Sequence, residues 1–327
     1  MNPKEKEDKS IHIPDGPLNK YGARLFIPKY IKIKADTSTS KEVEWREDKK
    51  LEKIKPEKEE INIIYKSSKC TDGENKGNKL DLHMNIMYHP NSKNPSNIIL
   101  VIPGGGFLFC DIHSSLIELR QNLHKNNFAV AAIEYHVVGN GFYYDVLEDI
   151  KDAIEYLKNN EKKYNINLNN LVILGNSAGG YFTALYTIKN PKGIKCAIDL
   201  YGLSDLSKVG IDFDDECHNN HLTQYSTESM YIFGCESGKG INYDLNEVQK
   251  SNPVNFVNGN EPPFLFMHGD NDNLVSNSQT LFVHNKILEK KGKSVRYVLK
   301  GDGHGEGGFD TESCFKIILD FINENVK

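Results

Sequence analysis

Gly175-Asn176-Ser177-Ala178-Gly179 places a serine between two glycines, directly after the apolar run Leu171-Val172-Ile173-Leu174 and ahead of a helix-like segment. A serine hydroxyl is a weak nucleophile until an adjacent base takes its proton. A strand that turns sharply into a helix around Gly-x-Ser-x-Gly, a nucleophile elbow, holds the hydroxyl above the sheet in a strained turn. Its neighbours must be small so that strand and helix can approach. Gly175 and Gly179 meet that need, and Gly180 extends it. A serine between glycines is also an ordinary turn, so the reading depends on partners elsewhere in the chain.

Those partners are present, in order. Upstream, Ile102-Pro103-Gly104-Gly105-Gly106-Phe107 follows the apolar run Ile98-Ile99-Leu100-Val101. Glycines at a strand end let backbone N–H groups turn toward a ligand, as an oxyanion hole requires. Downstream, Phe264-Leu265-Phe266-Met267 runs into His268-Gly269-Asp270-Asn271-Asp272-Asn273-Leu274-Val275, and Val295-Arg296-Tyr297-Val298-Leu299 into Gly301-Asp302-Gly303-His304-Gly305. The order is therefore serine, aspartate, histidine, each on a loop leaving a predicted strand. Ser177 would attack an ester carbonyl, and His304 would act as base and then as acid toward the leaving alcohol. The acid that orients His304 is Asp272 or Asp270, which share one loop. The N–H groups of Gly105, Gly106 and Ala178 would bind the oxyanion. His268 reads as a strand-end packing residue in preference to a second base.

With these motifs the chain resembles an α/β-hydrolase of the esterase/lipase type, near the hormone-sensitive-lipase-like group and its bacterial acetyl- and feruloyl-esterase relatives. The resemblance spans roughly residues 61–326. It rests on Pro103-Gly104-Gly105-Gly106, on Gly175-Asn176-Ser177-Ala178-Gly179-Gly180, on the His268-Gly269 acid loop ending at Val275, and on Gly301-Asp302-Gly303-His304. Family spacing favours Asp272 as the acid. Many members read Asp-Tyr-Arg where this chain has Glu134-Tyr135-His136, a departure expected to alter loop packing and not the three reacting residues.

The remaining elements must position these loops. From residue 61 onward strands and helices alternate, which predicts an α/β fold with a mostly parallel central sheet and helices on both faces. Residues 61–65 and 80–88 read as a leading antiparallel pair, 128–133 and 195–201 as further strands, and 144–160 and 311–324 as helices. In the first helix Val146, Ile150, Ala153, Ile154 and Leu157 form one apolar stripe. The acids Asp145, Glu148, Asp149 and Asp152 near its start read as capping and solvation.

Residues 1–60 are polar and charge-dense and are expected to be partly disordered. Within them, the apolar stretch 21–33 either closes over the active-site mouth or straps the surface; Trp45 lies in the same region. Between 205 and 252 the alternation breaks down, as for a small lid or cap insertion. Asp212, Asp214, Asp215, Glu216, Cys217, His218 and His221 within it read as a solvated acidic lid ahead of a metal site.

Composition limits the partners. The 327 residues carry a net charge of −5, which gives no basic footprint for nucleic acid. The six cysteines show no CxxC pair and read as reduced thiols. No apolar run reaches membrane-span length and the charged start is unlike a signal peptide, so the expected location is cytoplasmic. The chemistry calls for no cofactor and no metal; a homo-oligomer is left open. The expected activity is a serine carboxylesterase acting on small to medium acyl esters through an acyl-enzyme, with acetyl esters of carbohydrates among the candidates the resemblance implies. An amidase or peptidase and an arylformamidase share the same residues, and a receptor that binds esters without turnover is the alternative of another class. Activity should fall as His304 becomes protonated.

Overall fold

A computed structural model describes residues 10–12 and 21–326. In chain order the strands are β1 (Ser10–His12), β2 (Arg24–Phe26), β3 (Lys41–Val43), β4 (Lys58–Lys69), β5 (Lys79–Tyr88), β6 (Ser96–Ile102), β7 (Ala129–Ile133), β8 (Ile166–Asn176), β9 (Ile194–Leu200), β10 (Phe264–Gly269) and β11 (Ser294–Leu299). The helices are α1 (Ile117–Lys125), α2 (Tyr143–Asn159), α3 (Glu161–Tyr164), α4 (Ala178–Lys189), α5 (Asp215–His221), α6 (Thr227–Phe233), α7 (Leu245–Ser251), α8 (Ser278–Glu289) and α9 (Glu312–Asn325).

Nine strands form one sheet in the order β3-β11-β10-β9-β8-β6-β7-β5-β4. β5 runs antiparallel to both its neighbours and every other pairing is parallel. The central strands are apolar runs because both of their faces are covered. Ile98, Leu100, Ile102, Ala131 and Ile173 point into one core with α2 and α4. Ile99, Val101, Val130, Val172 and Leu174 point into the other with α1 and α9. The chain thus has an α/β-hydrolase fold.

α4 departs from the usual one-sided helix. Every residue from Ala178 to Ile188 is buried, since the helix lies beneath the 205–252 segment as well as against the sheet. In α2 the sequence expectation for the acids needs one correction. Asp145 caps the helix, accepting from the Phe142 N–H, but Asp149 is fully buried and pairs with Lys66 Nζ at 2.9 Å and His136 Nδ1 at 2.8 Å. His136 belongs to the Glu134-Tyr135-His136 triplet, so the departure from Asp-Tyr-Arg supplies an internal ion pair.

The described part of the polar first sixty residues is attached at several points, two of which bear on the site. β3 adds a parallel edge strand to β11, with Val43 alone of its three residues buried. Trp45 then donates Nε1–H to the Lys300 carbonyl at 3.0 Å. Farther upstream, Arg24 N donates to the Tyr225 carbonyl at 2.8 Å, and Lys32 N to that of Asp212 at 2.7 Å. Residues 24–32 are thereby tied to the 205–252 segment.

Candidate active site

Strand register decides which loops meet. Ile102 pairs with Gly175 between β6 and β8, Asn176 with Leu200 between β8 and β9, and Gly269 with Leu299 between β10 and β11. The glycine loop, the serine turn, the acid loop and the histidine loop therefore leave one end of the sheet side by side, where ligands bind in open α/β sheets.

At the serine turn, Ser177 has φ 54° and ψ −124°, a strained conformation for a residue with a side chain. Its flanking glycines are required by contact. A Cβ on Gly179 would sit 1.9 Å from the Ile102 carbonyl oxygen, and one on Gly175 would sit 2.2 Å from that of Gly179. Two residues given no role by the sequence brace the glycine loop, one from the serine turn and one from the end of β7. Asn176 Oδ1 accepts from the Gly104 N–H at 3.0 Å, and Tyr135 donates its hydroxyl proton to the Pro103 carbonyl at 2.7 Å. Asn176 is the variable position of Gly-x-Ser, so its amide was the available signal.

The structure brings Ser177, His304 and Asp272 together. His304 Nε2 lies 2.8 Å from Ser177 Oγ, and His304 Nδ1 lies 2.7 Å from Asp272 Oδ2. Tyr201 packs edge-on against the imidazole, 4.9 Å between ring centres. Asp270, the other acid of the loop, accepts from the Gly301 N–H, whereas the ring nitrogens of His304 bond Asp272 and Ser177.

Asp272 is fully buried with four donors around it. Oδ1 takes the N–H groups of Leu274 and Val275 at 2.8 and 2.9 Å, while Oδ2 takes His304 and, at 3.1 Å, His268 Nε2. Burial pushes its acidity toward the neutral form, but His304 and His268 together outweigh it and hold the carboxyl well below the usual range.

His268 has no access to substrate. Its Nε2 faces only acceptors, Asp272 Oδ2 and the Val275 carbonyl, so Nε2 carries the proton and Nδ1 accepts from the Thr280 hydroxyl at 2.9 Å. Burial lowers its pKa and keeps the ring neutral. Thr280 in turn accepts from Nε of the buried Arg296 at 3.1 Å. A hydrogen-bonded chain thus runs from Arg296 through Thr280 and His268 to Asp272.

Gly105 and Gly106 have φ of +144° and +59°, the region that favours glycine. Among the described residues the backbone N–H groups of Gly105, Gly106 and Ala178 have no hydrogen-bond acceptor. All three residues border a pocket of about 400 Å³ that also takes in Ser177 and His304. Leu25, Phe26, Phe107, Leu203, Leu274 and Val275 give it apolar walls, and His221, Thr227 and Glu228 come from the 205–252 segment. The acidic stretch before α5 is occupied structurally. Asp212 accepts from the Ser278 N–H and hydroxyl, and Asp214 caps α5 through the Cys217 N–H. Among the described residues no group of three His, Cys, Asp or Glu side chains could hold a metal ion, and no helix is long and apolar enough to cross a membrane.

Comparison with known proteins agrees with this architecture. The BD-FAE family model matches residues 84–287. The chain is 22% identical over 221 residues to esterase LipC of Mycobacterium tuberculosis, covering 64% of this chain and 53% of LipC. It is 25% identical over 217 residues to endo-1,4-beta-xylanase B of Butyrivibrio fibrisolvens, covering 63% of this chain and 32% of the xylanase. It therefore spans about half or less of the length of these curated relatives. A truncated form of a carbohydrate esterase from gut microbiota has the same fold, with a TM-score of 0.70 at 21% identity over 85% of this chain and 99% of that one. A propionate-bound esterase, Est2, from Thermogutta terrifontis gives 0.58 at 19% identity over 81% and 93%. The family match covers more than half of the 327 residues and includes the glycine loop, the serine turn and the acid loop, so the chain belongs to the BD-FAE family.

Proposed function

We propose that this protein is a serine carboxylesterase working through an acyl-enzyme. The observation that carries the reading is the continuous hydrogen-bonded run from Ser177 Oγ through His304 to Asp272, at the edge of a pocket. His304 takes the Ser177 proton at Nε2 while its Nδ1–H stays on Asp272, and the serine oxygen attacks the ester carbonyl. The N–H groups of Gly105, Gly106 and Ala178 receive the developing oxyanion. His304 then hands its proton to the departing alcohol, and water repeats the sequence to release the acid.

The names of the relatives support an ester substrate, and a pocket of about 400 Å³ suits small to medium acyl esters. The carbohydrate-esterase neighbour supports acetylated carbohydrate as one such ester. In this reading residues 61–327 are the catalytic unit, and 205–252 with the attached 21–33 stretch form its cap. Support for the cap comes from Leu25 and Phe26 on the pocket wall and from the bond between Arg24 and Tyr225. Six cysteines without a disulfide support a cytoplasmic location. Hydrolysis of p-nitrophenyl esters from acetate to decanoate, wild type beside Ser177→Ala, tests the reading. Turnover that survives the substitution would refute it.

A further inference from the structure

The cap carries a polar cluster that the proposed chemistry does not use. His221, Thr227 and Glu228 border the same pocket as Ser177, and each is at most 3% exposed. His221 Nδ1 meets Glu228 Oε1 at 3.2 Å. The other polar atoms of the cluster, His221 Nε2, Glu228 Oε2 and Thr227 Oγ1, have no hydrogen-bond partner among the described residues. Buried polar side-chain atoms nearly always have partners, so three orphan atoms on residues that line one binding pocket call for an explanation.

The surroundings restrict what could satisfy them. Phe26 packs edge-on against His221, 5.5 Å between ring centres, and Leu25, Leu203 and Val275 supply apolar walls. For a neutral His221 that donates Nδ1–H to the Glu228 carboxylate, both His221 Nε2 and Glu228 Oε2 can only accept, whereas Thr227 Oγ1 can also donate. An alkyl group meets none of these needs, and an ammonium, which cannot accept, leaves the Thr227 hydroxyl proton without a partner. A hydroxyl does both, donating to Glu228 or His221 and accepting from Thr227.

We propose that His221, Thr227 and Glu228 form a subsite for a hydroxyl carried by the ester, making hydroxy-substituted esters the preferred substrates. This rests on the serine-esterase reading above. A hydroxyl bonded to a buried charged or polar pair is worth about ten- to a hundredfold in kcat/KM over the analogue that lacks it.

The test uses two matched pairs with the full chain. p-Nitrophenyl propionate against the 3-hydroxypropionate probes the acyl side, and propyl acetate against 3-hydroxypropyl acetate probes the alcohol side. In wild type, the hydroxylated member of one pair is expected to exceed its partner at least tenfold in kcat/KM. Glu228→Gln and Thr227→Val should each reduce that ratio several-fold; because it is read within each protein, altered stability does not mimic the effect. Should one variant fail to fold, the other supplies the ratio. Ratios near one in both pairs, with turnover that depends on Ser177, would mean that the cluster holds only water and would overturn the subsite while leaving ester hydrolysis intact. No turnover of any ester would overturn both readings.

Discussion

Replacing Asp272 by asparagine is the substitution whose outcome the geometry constrains most tightly. The asparagine has one amide oxygen and one NH₂ to place in two environments. The Oδ1 position faces two backbone donors, Leu274 N–H and Val275 N–H, and the Oδ2 position faces His304 Nδ1 and His268 Nε2. Turning the NH₂ toward the backbone would leave two buried N–H groups without an acceptor, at about 1–3 kcal/mol each. The imidazoles on the other side can move their protons to the opposite ring nitrogen whereas the backbone amides cannot, so the oxygen stays with the backbone and the NH₂ then points at His304. His304 must answer with a bare Nδ1, which moves its proton to Nε2, where Ser177 needs an acceptor. A wrong-tautomer histidine of this kind lowers kcat by about 10⁴. Steady-state hydrolysis of p-nitrophenyl acetate by Asp272→Asn, with Asp270→Asn alongside, measures it. We expect a loss of 10³ or more at Asp272, an order of magnitude taken from the same tautomer argument, and near-wild-type turnover at Asp270. An Asp272→Asn enzyme within tenfold of wild type would refute the reasoning.

Other substitutions probe the scaffold. Gly179→Ala drives a methyl into the Ile102 carbonyl, so soluble folded yield should collapse; a normal melting temperature would contradict the tight crossing of α4 over β6. Asp199, buried behind the serine turn and bonded to the Gly202 N–H, has its pKa pushed up to about 8 by burial. It is protonated when folded and ionised when unfolded between about pH 4 and 8, so it makes stability fall as pH rises across that window, by up to about 1.4 kcal/mol per unit. Denaturant titrations at pH 5 and pH 8 should show that slope in wild type and a weaker one in Asp199→Asn. Trp45→Ala removes the bond to the Lys300 carbonyl and a ring that packs over Gly307 and Gly308. Since Trp45 is only half-buried, we expect about 2 kcal/mol of lost stability by chemical denaturation; an unchanged midpoint would show that the β3 attachment contributes nothing.

What could be read from the chain follows from how local each signal is. Ser177, the three consecutive glycines and the Gly-x-Gly-His turn are short patterns whose residue types are dictated by backbone contact, and the central strands are uninterrupted apolar runs because both faces are buried. The α/β architecture was legible for that reason, with β8 extending well before the apolar 171–174 segment. β3 was not legible: Lys41-Glu42-Val43 sits at a sheet edge with one buried side chain, so no periodicity marks it. Asp149 looked like a surface acid because its partners, Lys66 and His136, come from other elements. The chain from Arg296 to Asp272 was hidden likewise, since Thr280 lies on a helix and Arg296 inside a strand, and only the fold makes them neighbours. Asn176 and Tyr135 stood within motifs already noted, but their roles depend on the pairing of β6 with β8 and with β7.

The proposed chemistry stands or falls with Ser177 as a nucleophile activated by His304. Reaction with a fluorophosphonate probe followed by peptide mass spectrometry tests it without any choice of substrate. One adduct per chain is expected, on the peptide containing Ser177, absent in Ser177→Ala and strongly slowed in His304→Ala. Labelling of another residue, or labelling of Ser177 at the same rate without His304, would contradict it.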